Sequence, residues 1–232
     1  MTRDATTDLA GVSRRLQAGI EPLLRNVPLE EKLEQITAAT LGSVPGLDGY
    51  GLALIEGEEV VAAVSSTGLV SSLHDLERSL GEGPCWDTLH DGQPTSVLEA
   101  LGPGHRDGEP RSYRTEAGGL GVRSQAAVRI RPHKRTMGAL TIVSTTSDEV
   151  PLDLETLGVT VGLLALALDQ AQLRAGIEDG LRGRTVIGQA LGIVMERYRM
   201  TEELALSYLK RESSTQNRKL RDIAEEIVAT RP

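Results

Sequence analysis

The stretch from 183 to 228, GRTVIGQALGIVMERYRMTEELALSYLKRESSTQNRKLRDIAEEIV, decides how the rest of the chain is read. Its apolar residues recur three and four apart, the spacing that lines one face of a helix, in three successive blocks. The first block is Ile187, Ala190, Leu191, Val194, Met195 and Tyr198. The second is Leu204, Ala205, Tyr208 and Leu209, and the third is Leu220, Ile223, Ala224, Ile227 and Val228. The second opens at Thr201, whose hydroxyl is expected to cap a free backbone N–H, with Glu202 and Glu203 in the positive first turn. The polar run 213–217, SSTQN, reads as the connector to the third. Three short helices with one apolar stripe each are expected to close one small core.

Polar, small and apolar positions also fall in a recognisable order. Arg184, the run Gln189-Ala190-Leu191-Gly192-Ile193-Val194-Met195, Glu203 with Ala205, Leu209, Ser213, and Asn217-Arg218-Lys219-Leu220 with Ala224 resemble the ANTAR domain, the three-helix RNA-binding module of bacterial antitermination regulators. Two positions depart from that family: Leu191 stands where lysine or glutamine is common, and Leu206 where an aromatic is. The resemblance implies that Arg184, Gln189, Gly192, Arg197, Asn217, Arg218, Lys219 and Arg221 contact RNA. Arg218, Lys219 and Arg221 lie off the apolar stripe of the third helix, and Gly192 leaves room for an RNA backbone or another helix. With few aromatic residues for stacking, recognition is expected to depend on shape, phosphates and selected loop bases.

The chain upstream has a different character. The protein has 232 residues, one tryptophan, no phenylalanine and a net charge of −8, so its cores must be built from Leu, Val, Ile and Ala. Residues 181–232 hold ten Lys/Arg against seven Asp/Glu, which leaves fifteen against twenty-six for the remainder. An acidic body with a mildly basic end suits a modular nucleic-acid binder. Cys85 is the one cysteine, so an internal disulfide and a cysteine zinc cluster are both excluded. The apolar run 157–168 is too short to span a bilayer and the N-terminal MTRDATTDLAG lacks a signal peptide's apolar core, so the protein is expected to be cytoplasmic and to have no membrane partner.

Residues 1–28 read as an N-terminal helix whose stripe Val12, Leu16, Ile20, Leu23 and Val27 either packs on its own domain or pairs subunits, with Pro22 interrupting it. A second helix is expected over 29–41. The pattern then becomes that of strands: 50–56 and 59–65 form a hairpin around Glu56-Gly57-Glu58, and a helix over 71–80 is broken at Gly81-Glu82-Gly83-Pro84. A short strand over 94–98 precedes a loop over 102–111. In the strand 125–131, Ala126, Val128 and Ile130 face one way and Arg129 and Arg131 the other. The strand 137–144 completes an antiparallel sheet, and from Leu152 the chain is helical again.

The pieces LGEGPCWDTLHDGQPTSV, GVRSQAAVRI and MGALTIVSTT, taken together, are similar to the GAF domains that precede ANTAR modules in actinobacterial regulators. That resemblance implies a sensor domain over 29–172 whose cavity is lined by Cys85, Trp86, His90, Tyr113 and Arg123. Plain core filling is the alternative for the same five side chains. The fold class expected is α+β: a GAF-like antiparallel sheet with flanking helices, then a coiled-coil-like linker helix and an all-α three-helix ANTAR domain over 173–232. Leu166, Gln170, Leu173, Ile177, Gly180, Arg184, Ile187, Leu191, Val194 and Tyr198 form a heptad seam across that boundary. Two parallel helices can meet along it, with Gln170 and Arg184 setting register and Gly176, Gly180 and Gly183 supplying a hinge.

Chemistry beyond binding has little support. Cys85 and His90 could suggest a thiol and its base, but a cysteine after Gly-Pro reads as a buried side chain or a helix start. His74, His90, His105 and His133 lack the helical spacing of a metal pair, Gly118-Gly119-Leu120-Gly121 reads as a loop, and Asp153 lacks a phosphoacceptor's context. No enzyme activity, metal or cofactor is expected. The reading is a homodimeric antitermination regulator that binds tandem stem-loops in nascent mRNA under control of a small-molecule signal at the GAF domain. Two alternatives stand beside it: a helix-turn-helix DNA binder, which the length of the 213–217 connector disfavours, and a protein-interaction module that has lost RNA binding.

Overall fold

The computed structural model describes residues 9–57, 59–102, 112–132 and 135–230. The chain divides into two compact units, Met1–Gln170 and Ala171–Pro232.

In the first unit, helices α1 (Leu9–Leu24) and α2 (Leu29–Leu41) precede the hairpin of β1 (Gly49–Glu56) and β2 (Glu59–Ser65). Helices α3 (Gly68–Leu80) and α4 (Pro84–His90) lead into β3 (Thr95–Leu98), and α5 (Tyr113–Gly119) leads into β4 (Ser124–Ile130) and β5 (Gly138–Ser144). The sheet order is β2-β1-β5-β4-β3, with every neighbouring pair antiparallel.

Both faces of this sheet are covered. Leu52, Leu54, Ala126, Ile130, Leu140 and Ile142 point into a core shared with Leu33, Ile36 and Leu41 of α2 and with Leu163, Leu164, Ala167 and Leu168 further along the chain. On the other face Ala53, Ala127 and Ala139 pack with Cys85 of α4, and Val143 packs with Val70 and Leu73 of α3 and Tyr113 and Ala117 of α5. The one-sided alternation expected for β4 is therefore corrected: Gln125 and Ala127 are as buried as Ala126 and Ile130. The sheet's second face uses small residues because three helices lie close upon it.

Helix α6 (Leu154–Tyr198) begins in the first unit and ends in the second, and is α-helical through Gly176, Gly180 and Gly183. Asp153 opens it, its carboxylate accepting the Thr156 N–H at 2.7 Å. The expectation that nothing reaches membrane-spanning length is corrected here. An 18-residue window of this helix has a mean hydropathy of 1.3 and is long and apolar enough by composition. Yet Leu163, Leu164, Ala167 and Leu168 of α6 belong to the sheet core. In the second unit α7 (Glu202–Gln216) and α8 (Leu220–Ala229) close the core of Ala190, Val194, Ala205, Leu209, Ile223 and Ala224. Leu191 is half-buried against it, apolar where the core needs an apolar group.

Several expectations change. The stripe of α1 does not all face inward: Leu16 and Ile20 are exposed, while Gly11, Gly19, Pro22 and Leu23 are buried. Gly19 explains this, since a Cβ there would lie 2.4 Å from the Leu163 side chain. The helix ends at Leu24, before Val27. Cys85 is both buried and in the first turn of α4, α5 is a helix the sequence does not announce, and Gly118 and Gly119 end α5 instead of lying in a loop. Thr201 makes no side-chain cap, and Leu204 and Tyr198 are more than half exposed. Residues 213–216 continue α7, so the connector shrinks to 217–219, and its length no longer disfavours a helix-turn-helix. The heptad seam also divides: Leu166, Leu173, Ile177 and Gly180 are exposed, as is Leu181 beside them, whereas Ile187, Leu191 and Val194 pack against α7 and α8. His105, His133 and residues 103–111 of the expected loop lie outside the described residues.

Candidate functional site

The sheet unit gathers its polar side chains between α3, α4 and β5. Helix α3 is held at its start by Thr67, which accepts the Val70 N–H, and at its end by Gly81 in the left-handed region. Between these caps Val70, Leu73, His74 and Glu77 face the sheet. Gly83, at φ +122°, admits the Glu77 side chain: a Cβ there would lie 2.6 Å from Glu77 Cγ. The Glu77 carboxylate accepts the Trp86 N–H at 2.8 Å and the Gln125 amide at 2.8 Å, and the Tyr113 hydroxyl donates to Gln125 at 2.6 Å. Burial outweighs these donors and raises the Glu77 pKa to about 7.

His74 lies 3.1 Å from Thr141 Oγ1 through Nε2, while its Nδ1 is buried with no hydrogen-bond partner among the described residues. Burial lowers its pKa to about 4, so the ring is neutral at physiological pH. Burial likewise pushes the Cys85 thiol far above its ordinary range, which keeps it protonated and a poor nucleophile. Trp86 and His90 stack, with centroids 3.7 Å apart and planes 15° from parallel, and the His90 Nδ1 sits 3.2 Å from the Trp86 carbonyl oxygen.

The space left among these groups is about 40 Å³, bordered by His74, Glu77, Cys85, Trp86 and His90. That volume takes about three water molecules. Three of the five side chains expected to line a ligand cavity, Cys85, Trp86 and His90, therefore meet there. Tyr113 is buried and joined to the group through Gln125. Arg123 is elsewhere, its Nε bonded to Asp148 at 2.8 Å. Sequence reasoning missed His74, Glu77 and Gln125. The signal was present for the first two, because they stand four and seven residues after Val70 on the stripe that α3 buries.

In the helical unit Arg184, Gln189, Gly192 and Arg197 are exposed on α6, and a Cβ at Gly192 would meet nothing within 4 Å. Asn217 ends α7 in the left-handed conformation and Lys219 stands at the N-terminus of α8. Two of the expected RNA-contacting cations are paired within the unit. Arg221 passes beside Gly183, whose Cβ would be 3.7 Å from Arg221 Cδ, and bonds Glu225 at 2.8 Å and Asp179. Arg218 bonds Glu226 at 2.7 Å. At the end of α6 the Tyr198 and Tyr208 rings are 5.8 Å apart at 43°, and the Arg211 guanidinium sits 5.6 Å from the Tyr208 centroid. Arg199, the residue after α6, has φ +51°.

Comparison with known proteins matches both units. The GAF domain family model covers residues 29–168 and the ANTAR domain model covers 175–228. No curated protein matches the chain. Among solved structures, the GAF domain from a phosphoenolpyruvate-protein phosphotransferase of Coxiella burnetii superimposes with a TM-score of 0.52 at 17% identity, covering 73% of this chain and 99% of that one. The phytochrome photosensory core module of Stigmatella aurantiaca gives 0.51 at 15% identity, covering 92% of this chain and 46% of that one. At such identities the likeness shows the fold alone.

Proposed function

The chain belongs to the GAF family over residues 29–168 and carries an ANTAR domain over 175–228, and from this architecture we propose that it is an RNA-binding antitermination regulator of the cytoplasm. Its ANTAR helices engage tandem stem-loops in nascent mRNA and keep a terminator from forming. The observation that carries the reading is the ANTAR match falling on the three-helix unit that ends the chain. Arg184, Gln189, Gly192, Arg197, Asn217, Arg218, Lys219 and Arg221 are the proposed contacts. Arg218 and Arg221 must exchange exposed carboxylate partners for phosphate, and water at the surface screens the pairs they give up.

Two copies are required to hold two stem-loops. The exposed Leu166, Leu173, Ile177 and Gly180, spaced by fours and threes with Gln170, supply a seam for a parallel helix pair, with residues 1–28 adding to the dimer contact. The GAF domain, 29–172, acts as the sensor, and its state reaches the RNA-binding end through the glycine-containing stretch 176–183. The chain performs no covalent chemistry in this account.

The three-residue connector 217–219 favours a second reading, a helix-turn-helix on duplex DNA with Arg218, Lys219 and Arg221 in the major groove. A titration at several salt concentrations separates the two, using tandem stem-loop RNA, a single hairpin and duplex DNA of equal charge. Preference for the tandem RNA supports antitermination and preference for the duplex supports the DNA reading. Equal, salt-sensitive binding to all three overturns both and leaves the protein-interaction alternative.

A further inference from the structure

The cations singled out from the sequence at the α7–α8 turn are partly consumed: Arg218 and Arg221 each hold a carboxylate of their own unit. Another part of the same unit has the opposite character. Tyr198 closes α6 with 52% of its surface exposed, although its spacing puts it on the core-facing stripe. Its ring abuts Tyr208, and the Arg211 guanidinium lies over Tyr208. Leu204, one turn before Tyr208 on α7, is exposed as well.

Further arginines lie next to Tyr198 in the chain. Arg197 and Arg199 flank Tyr198 in sequence, both exposed and without an ion pair among the described residues. Arg199 adopts the left-handed conformation that glycine takes without strain, so a long cationic side chain is kept where the backbone would favour none. The one carboxylate near Tyr208 on its own helix is Glu212, which accepts a hydrogen bond from Gln216 at 3.3 Å. Glu196 lies two residues before Tyr198 on α6, on the face turned away from the core.

An exposed tyrosine with an arginine on either side in the chain, backed by a second tyrosine under a guanidinium, suits a planar, π-faced group attached to a phosphate chain, which is an unstacked nucleobase of a single-stranded segment. We infer that Tyr198, backed by Tyr208 and Arg211, is the stacking site for a loop base of the bound stem-loop, with Arg197 and Arg199 on the adjoining phosphates. The inference rests on the RNA-binding reading and names the residue that meets one of its expected loop bases.

Full-length protein and its Tyr198→Leu and Tyr198→Phe variants are titrated with tandem stem-loop RNA carrying 2-aminopurine at single loop positions, with thermal melts confirming equal folding. One loop position is expected to lose fluorescence on binding. Tyr198→Leu should bind about tenfold more weakly and abolish that quenching, whereas Tyr198→Phe should stay within about twofold of the parent. If the parent binds the RNA and Tyr198→Leu binds equally with quenching unchanged, the stacking site is overturned while the RNA reading stands. If the parent shows no preference for the RNA, the RNA reading fails and the site fails with it. Loss of self-association in Tyr198→Leu without RNA, at unchanged RNA affinity, overturns the site in favour of a contact between copies.

Discussion

The two units use their polar side chains in opposite ways. In the sheet unit Glu77, Gln125 and Tyr113 turn inward and bond to one another, and His74 bonds Thr141, leaving about 40 Å³ beside them. In the helical unit Arg184, Arg197, Arg199 and Lys219 stay at the surface, and the ion pairs that form there are exposed to water. A polar group buried with its partners fixes one packing of the core. A surface cation with a weak partner, or none, remains available to an outside anion. The contrast supports the proposal that the C-terminal end recognises a polyanion, and the space beside His74, Glu77 and Cys85 is small as it stands.

The largest expected effect comes from breaking the buried network. His74 and Glu77 are displaced in opposite directions, and the signs can be followed through pH. Glu77 titrates near 7 when folded and near 4.5 when unfolded, so its contribution is fully present below about 4.5 and is lost as pH rises through 7. His74 titrates near 4 when folded and near 6.5 when unfolded, so its contribution is fully present above about 6.5 and is lost as pH falls toward 4. Each change amounts to roughly 3 kcal/mol. The two nearly cancel between pH 4.5 and 6.5, and stability of the parent should be flat there. Glu77→Gln removes one limb, so urea denaturation of that variant should show stability climbing by a few kcal/mol from pH 4 to 6.5. A flat profile in Glu77→Gln would mean that the buried pair does not govern the sheet unit.

An intermediate effect is expected at the seam. Leu173→Glu with Ile177→Glu places like charges face to face in a parallel helix pair, and sedimentation should show a dimer becoming a monomer with the fold intact. An unchanged dimer would move the subunit contact away from α6. The smallest effect belongs to the cations at the α7–α8 turn. Because Arg218 and Arg221 exchange their exposed carboxylates for phosphate, replacing Arg218, Lys219 and Arg221 by alanine should lower the slope of log affinity against log salt by about two to three. A drop of about one would show that Lys219 alone reaches phosphate.

Much of this was legible in the sequence. The strands at 50–56, 59–65 and 137–144, set off by the turn residues around them, and the period of three and four at 187–198 and 220–228 depend on local sequence, and the structure forms strands and helices there. What escaped depends on distant partners. Helices α4 and α5 are too short for a period to register, and α4 begins after a glycine whose φ suits the Glu77 side chain behind it. Gln125 reads as a solvent-facing strand residue until Glu77 and Tyr113 reach it from two helices. The run at 213–217 looked like a connector because serine, threonine and asparagine are poor helix formers, yet 213–216 complete α7 and only Asn217 turns the chain. Spacing alone could not say that Tyr198 and Leu204, both in phase with the core, would stay outside it.

The most direct test of the central claim is single-round transcription in vitro on a template in which tandem stem-loops overlap an intrinsic terminator. Added protein should raise readthrough in step with RNA occupancy, and templates with either stem-loop deleted should not respond. Saturating binding to the tandem RNA with readthrough unchanged would contradict antitermination.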